Sequence, residues 1–230
     1  CLVFVDDSGI NAGALTAKSI DKALGCLDIS MKQKLPFIHL VESAGINLMN
    51  YTVEFWARTG GMFYGLAKLS AAGIPTIAVL HGLSTAGGAY QPGMSDYVVG
   101  VKKNGMAALA GPALLKAATG QIAGNEELGG SEMHARVTGL VEYLADDDNH
   151  AIEITRDIIE KLDWNSKCEK PKDLSFSKPI YDASEIAGIV PIDYRTPYEV
   201  RELIARIVDG SDFIDFKSMY GVSTVCIQAK

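Results

Sequence analysis

The 230-residue chain contains no apolar run of about 18 residues or more, so the sequence predicts no transmembrane helix. No charged-then-apolar leader of the signal-peptide kind opens it. The four cysteines, Cys1, Cys26, Cys168 and Cys226, form no C-x-x-C pair. That pattern excludes a zinc ribbon and argues against a disulfide framework, leaving reduced thiols in an intracellular protein as the expectation. Basic residues are outnumbered: 21 Lys and Arg against 28 Asp and Glu give a net charge of -7. A chain of that balance is no general nucleic-acid binder, although local Lys or Arg can still hold a phosphorylated small molecule. Neither G-x-x-x-x-G-K-[ST] nor G-x-G-x-x-G occurs, which removes the two glycine-rich phosphate loops. G-x-S-x-G is missing as well, and with it the nucleophile elbow of many hydrolases.

What is present alternates between two periods. CLVFV, LPFIHLVES and Pro75–His81 read as strands, as do DYVVGV and GMAALA. Between them, Ala17, Ile20, Leu24, Leu27 and Met31 form one helical stripe, and residues 53–72 form a long helix stopped by Gly73. Gly111-Pro112 opens another helix, and the run from Asp147 starts one with acidic residues at its positive end. Strands alternating with helices imply an α/β chain with a largely parallel sheet. Residues 163–179 are polar and Pro-containing, a linker or surface excursion. A helix follows at 198–208, with Arg201 and Arg206 expected to face solvent or a partner. Both ends carry strand-like character with no lead-in or lead-out, which suggests a fragment of a longer polypeptide.

The segment STAGGAYQPG, Ser84–Gly93, leaves a strand through adjacent glycines with no charged residue in view. Two readings fit. Gly87 and Gly88 offer backbone N–H groups to a developing negative oxygen, or they are a packing pair where helix meets sheet. A serine hydrolase built on Ser84 is a third candidate, with His39, His81, His134 and His150 as available bases, but no spacing ties any of them to it. His39 and His81 lie in or at the ends of strands, where a core or strand-end role is expected; His134 is read as structural. Glu126-Glu127 and Asp146-Asp147-Asp148 stand at helix starts, where carboxylates complement the dipole. Lys102, Lys103 and Lys116 are candidate phosphate contacts that more often are only solvated.

The blocks STAGGAYQPGMSD, AGPALLKAATG, EELGGSEMH and VTGLVEYLADDDNHAI, taken in order, resemble the carboxyltransferase β subunit of biotin-dependent acyl-CoA carboxylases. The tail from Tyr181 to Gly221 resembles the segment leading from that subunit's N-terminal domain into its C-terminal one. The resemblance implies a ClpP/crotonase-like fold of ββα units in a spiral, present as a partial domain. On that basis residues 1–162 are the core of the N-terminal domain, 163–222 its linker and helical tail, and 223–230 the start of a missing C-terminal domain. It implies an enzyme moving a carboxyl group from carboxybiotin to an acyl-CoA, the fragment alone being inactive. Carboxybiotin releases CO2 in a closed site, the resulting biotin enolate takes a proton from the acyl-CoA, and the acyl enolate attacks CO2, so that no side-chain base is needed. Carried over, Gly87 and Gly88 are oxyanion-hole donors, to the acyl thioester oxygen or to the biotin carbonyl, and Ala44, Gly45, Ile46, Ala89 and Tyr90 are substrate-binding; the alternative is another crotonase-type acyl-CoA enzyme, a hydratase, hydrolase or decarboxylase, which needs a side-chain acid or base. The implied cofactor is biotin on a partner carrier, the substrate acyl-CoA, with no metal in this chain. The implied partners are a biotin carboxylase/biotin carboxyl carrier subunit and the C-terminal domain of another subunit in a homo-oligomer, with neither nucleic acid nor membrane. The implied location is cytoplasmic, or the mitochondrial matrix in a eukaryote. Two departures stand out: Glu42-Ser43-Ala44-Gly45 replaces D-S-G-G, which predicts a less open first loop, and Gly61 stands where Arg is frequent before Phe63-Tyr64. KAATG and TAGGAY lean toward the carboxylases of branched unsaturated acyl-CoAs and away from those of propionyl-CoA.

Overall fold

The computed structural model describes residues 1–230 apart from 48, 50, 51, 168–175, 194, 220, 221, 223 and 230. Residues 168–175 of the predicted linker, Cys168 among them, therefore lie outside the described residues. The chain divides into two compact units, Cys1–Thr155 and Arg156–Lys230.

The first unit runs β1 (Leu2–Val5), α1 (Ala17–Gln33), β2 (Phe37–Val41), α2 (Val53–Ala71), β3 (Thr76–Leu80), β4 (Leu83–Thr85), α3 (Tyr90–Met94), β5 (Tyr97–Val101), β6 (Met106–Ala108), α4 (Pro112–Thr119), α5 (Asn125–Gly129), α6 (Ser131–Met133) and β7 (Tyr143–Ala145). Among the described residues one parallel sheet takes the order β1-β2-β3-β5-β7, and β4 pairs with β6 in a second, also parallel. The segments β3-β4-α3 and β5-β6-α4 thus each give one strand to each sheet before turning into a helix. Parallel strands covered on both faces need apolar side chains at every position. Thr76-Ile77-Ala78-Val79-Leu80 is buried throughout, and Val98, Val99 and Val101 beside it are fully buried. The sequence reading missed β4 and β7, which at three residues each are too short to show a period.

Helix α1 starts at a reciprocal cap: Ser19 N–H donates to Thr16 Oγ1 at 3.2 Å and Thr16 N–H to Ser19 Oγ at 2.7 Å. Its buried residues are Ile20, Ala23, Leu27 and Ser30, so the inward face is turned from the predicted stripe toward small side chains. Helix α2 explains the turn. A Cβ on Gly61 would stand 3.1 Å from Leu24 Cδ2, and one on Gly65 2.8 Å from Leu27 Cδ1, so the two helices meet across bare α-carbons. Gly61 is therefore a close-packing position, where a Cβ needs the Leu24 side chain to give by a few tenths of an ångström. Helix α4 buries no residue, and Leu109, Leu114 and Ile122 are exposed on and beside it.

Helix α7 (Asp148–Lys161) crosses the division between the units. The second unit then carries α8 (Ile186–Ile189), α9 (Val200–Ile204) and the antiparallel pair β8 (Phe213–Phe216) and β9 (Cys226–Ala229). The helix predicted over 198–208 is thus shorter. Its arginines are also paired: Arg206, 10% exposed, pairs with Glu185 at 2.7 Å and Glu202 at 3.0 Å over the ring of Tyr181. Arg201 pairs with Asp215 at 2.8 Å.

At the N-terminal edge of the large sheet, burial pushes the Tyr143 phenol well up, with Tyr97 and Glu142 adding to the shift. A phenol whose pKa is raised on folding stabilises the fold below its unfolded pKa of about 10 and withdraws that support as pH rises through the folded value. Urea unfolding is accordingly expected to weaken above about pH 10, by at most about 1.4 kcal/mol per pH unit for this one group. Tyr143→Phe should flatten that limb; an unchanged alkaline slope would assign it to other groups.

Candidate functional site

Loops at the C-terminal ends of neighbouring parallel strands emerge side by side, the usual ligand edge of such sheets. Here three do so: 6–15 after β1, 42–46 after β2, and 81–88 through β4. The first turns left-handed through Asn11, Ala12 and Gly13, with φ of 50°, 53° and 67°. Ala12 C=O then accepts Ala44 N–H at 3.0 Å, and Leu15 N–H donates to Gly45 C=O at 2.8 Å. Ser43 joins the third loop, its carbonyl accepting Thr85 N–H at 2.9 Å, while Thr85 Oγ1 donates to Ala44 C=O at 3.3 Å.

Glycine is required at two of these approaches. Gly45 has φ 78°, and a Cβ there would lie 2.9 Å from Thr85 O and 3.1 Å from Gly87 N. Gly88 is buried, and its Cβ would lie 2.5 Å from Ser43 O. Gly87 differs: it is half-buried, and the nearest atom to a Cβ there is 3.8 Å away. The two adjacent glycines therefore divide the readings drawn from sequence. Gly88 packs the loops together, while Gly87 stays open.

Donor accounting narrows the amides further. Ala44 N–H is taken by Ala12, Gly45 N–H by Ser43 Oγ at 3.2 Å, and Ala89 N–H by Ala86 C=O at 3.1 Å. Among the described residues Ile46 N–H makes no hydrogen bond, and the Gly87 and Gly88 N–H groups donate to no acceptor outside their 3₁₀ turn, Ala86–Gly88. Ala86 opens that turn at φ 49°, a left-handed value that costs a non-glycine residue about 1–3 kcal/mol. Tyr90 is half-exposed and its ring meets Phe63 at 5.2 Å between centroids.

Beside these loops lies a cleft of about 820 Å³, whose walls include Asn11, Leu15, Thr16, Ala44, Ile46 and Phe55 and carry no charged side chain among the described residues. That size suits a small-molecule site. Of the residues expected at the site, Ala44 and Ile46 line the cleft; Gly45, Gly87 and Gly88 lie behind or beside it. Sequence reading missed Leu15, Thr16, Thr52 and Phe55. The helix caps at Thr16 and Thr52 were the available signal, since α1 and α2 both start at the cleft.

Side-chain chemistry is mostly tied up. His39 is 3% exposed with Nε2 3.1 Å from Asp6 Oδ2. His134 is held between Thr138 Oγ1 and Ala107 C=O, each at 2.8 Å. His150 Nδ1 accepts Asp146 N–H at 3.2 Å, and its own N–H is capped by Asp147. His81, at the end of β3, stands 4.0 Å from Asp148. Ser84 is fully buried and its hydroxyl has no partner, so no described histidine forms a dyad with it. Lys102 binds Asp146, holding that carboxyl below the usual carboxylate range, and is not free for a phosphate. No three described His, Cys, Asp or Glu side chains converge to hold a metal ion, and no described helix is long and apolar enough to cross a membrane.

Comparison with known proteins places the chain. The whole of it, residues 1–230, matches the carboxyl transferase domain. The chain belongs to that family. It is 47% identical over 98% of its length to the probable biotin-dependent acyl-coenzyme A carboxylase beta2 subunit of Mycobacterium tuberculosis, of which it covers 42%. The β subunit of geranyl-CoA carboxylase from P. aeruginosa matches all of it at 44% identity and a TM-score of 0.68, 43% of that chain being covered. Transcarboxylase 12S, solved as a hexamer with substrate bound, matches 99% of it at 28% identity and a TM-score of 0.86, with 45% of that chain covered. The carboxyl transferase domain described here is thus crotonase-like in fold, as the sequence blocks implied, and spans less than half the length of these relatives. Its lean within the family also holds. The Dictyostelium discoideum methylcrotonoyl-CoA carboxylase beta chain is 42% identical over 98% of the chain, against 26% over 97% for the propionyl-CoA carboxylase beta chain of Saccharopolyspora erythraea; 39% and 42% of those relatives are covered.

Two substitutions separate the roles of the glycines and of Ser84. Gly88→Ala is expected to cost about 1–3 kcal/mol in urea unfolding, because its methyl meets backbone, whereas Gly87→Ala should stay within about 0.5 kcal/mol. Equal effects would refute the division. Ser84→Ala removes an unpaired buried hydroxyl and should leave stability unchanged or slightly higher, with turnover retained; loss of turnover would restore Ser84 as a nucleophile.

Proposed function

We propose that this domain holds the acyl thioester of an acyl-CoA and promotes its carboxylation, the thioester oxygen being stabilised as an enolate by backbone amides. The observation that carries this reading is the set of N–H groups with no acceptor on another loop, at Ile46 and in the 3₁₀ turn of Gly87 and Gly88, on two loops that meet beside an uncharged cleft. Pre-oriented amides of this kind act on charge that develops during reaction, each contributing on the order of 10²–10³ in kcat. His39, His134 and His150 are held by partners, which fits a site without a side-chain base, whereas His81 Nε2 is buried without one. Gly87, being half-buried, is the more accessible of the two glycines.

Biotin, carried on a partner, would supply the carboxyl group. This chain's residues fit the acyl side of that exchange: the cleft has apolar walls at Leu15, Ile46 and Phe55 and neutral polar groups at Asn11, Thr16 and Thr52. Such a lining accepts an uncharged acyl chain and disfavours one ending in a carboxylate, since a charge there would lack a partner. A branched, unsaturated acyl group is the favoured substrate class, in line with the methylcrotonoyl- and geranyl-CoA carboxylases among the relatives. The working unit is a homo-oligomer acting with a biotin carboxylase/biotin carrier partner, the second half of the site coming from another subunit.

Assembled enzyme with its biotin-carrying partner, given a panel of acyl-CoAs, should carboxylate branched unsaturated acyl groups faster than propionyl-CoA. Gly45→Ala, whose methyl would stand 3.1 Å from Gly87 N, should lower kcat by about 10²-fold or more. Absence of carboxyl transfer to any acyl-CoA sinks the proposal. So does a panel of variants in which one histidine or glutamate, and none of the glycines, abolishes turnover.

A further inference from the structure

Ser43 is 1% exposed, does not line the cleft, and yet touches all three loops. Its Oγ donates to Gly13 C=O at 2.7 Å and accepts Gly45 N–H at 3.2 Å. Its own carbonyl accepts Thr85 N–H at 2.9 Å. Gly88 is pressed onto it so closely that a Cβ there would lie 2.5 Å from Ser43 O and 2.9 Å from Ser43 Cβ. One small residue therefore joins the turn at 11–13, the turn at 42–46 and the glycine turn at 85–88. A hydroxyl offers one donor and two acceptor lone pairs, and here the donor and one lone pair are committed to backbone groups of separate loops.

We propose that Ser43 is the positioning residue of the site, its carbonyl holding the 85–88 turn while its hydroxyl fixes the Gly45–Ile46 end of the 42–46 turn, so that the hydroxyl sets where the Ile46 amide lies relative to the Gly87–Gly88 turn. The assignment rests on the oxyanion reading above. An amide must lie about 2.7–3.1 Å from the place where negative charge develops, so the two loops that supply the amides must be held in one register. Ile46 follows Gly45 directly, and Gly45 is oriented by the Ser43 hydroxyl; the 85–88 loop is hung from the Ser43 carbonyl. Removal of the hydroxyl leaves Gly13 C=O and Gly45 N–H without their partner, and the 42–46 turn then drifts against 85–88. Substrate binding through the cleft walls is left largely intact.

A purely structural role makes a different prediction, and the molecule contains its own control. Ser131 is fully buried, its Oγ donates to Gly105 C=O at 3.0 Å, and Cβ atoms on Gly100 or Gly105 would fall 2.8 Å and 2.3 Å from that Oγ. It makes the same kind of bond and the same glycine packing, outside the three loops. In the assembled enzyme with its biotin-carrying partner, kcat and KM for acyl-CoA are measured beside thermal unfolding. Ser43→Ala should lower kcat by up to about 100-fold, the cost of an ångström-scale misplacement, with KM changed by less than about three-fold. Ser131→Ala should lower the melting temperature comparably while kcat stays within about three-fold. Ser43→Cys, which keeps a weak S–H donor, should fall between wild type and Ser43→Ala. Where Ser43→Ala does not fold, Ser43→Cys is judged against Ser131→Ala on the same criterion. A kcat loss no larger than that of Ser131→Ala, or a loss confined to KM, overturns the assignment while leaving the oxyanion reading standing. A wild-type enzyme inert toward every acyl-CoA overturns both.

Discussion

Close approach across α-carbons that carry no side chain is the constraint on which the first unit depends, onto leucine side chains in one place and onto backbone in the other. It operates twice. Gly61 and Gly65 let α2 come down onto Leu24 and Leu27 of α1, and Gly45 and Gly88 let the loops after β2 and β4 come within contact of each other. The first approach sets where the two helices begin, and hence where Thr16 and Thr52 cap them at the mouth of the cleft. The second brings spare amides to the same edge. A methyl at any of these positions except Gly61 would stand within 3.0 Å of a neighbouring atom, and the Gly61 contact is only 0.1 Å longer. Overpacking of that kind costs of order 1–3 kcal/mol, a large share of the stability of an ordinary domain.

The division of labour between Gly87 and Gly88 follows from the same constraint. Adjacent in sequence, they face different ways: one is spent on the Ser43 contact, the other has open space. Left-handed Ala86 pays the conformational cost of turning the chain there. Among the titratable groups, Asp6, His39, His134, Asp146 and Lys102 have settled into pairs, and the His39–Asp6 pair is buried, away from the cleft lining.

Much of this was legible residue by residue. The strands at Phe37–Val41, Thr76–Leu80 and Tyr97–Val101 announced themselves as apolar runs, because burial on both faces leaves no polar positions. Helix ends were legible from Gly73, Gly111-Pro112 and the acidic run at Asp147, each a local chemical signal. The strands β4 and β7 were not, since three residues carry no period. Nor was the inward turn of α1, which places Ala23 and Ser30 inside because glycines on another helix face Leu24 and Leu27. Arg201 and Arg206 read as facing solvent or a partner, yet they pair within the chain with Asp215 and Glu185, 14 and 21 residues away.

The sequence by itself determined the fold class, the family and the short stretch in which reactive backbone was to be sought, since all three are carried by local composition and ordered blocks of residues. Tertiary structure decided which amides are left over. That accounting depends on acceptors supplied by other loops: Ala12 for Ala44, Ser43 for Gly45, nothing outside their own turn for Gly87 and Gly88. It also decided that Ser43, a small buried residue with no chemistry of its own, is where three loops meet. Hydrogen bonds between segments some 30 to 40 residues apart leave no trace in any window of sequence, because the partner is selected by the packing of strands and not by neighbours along the chain.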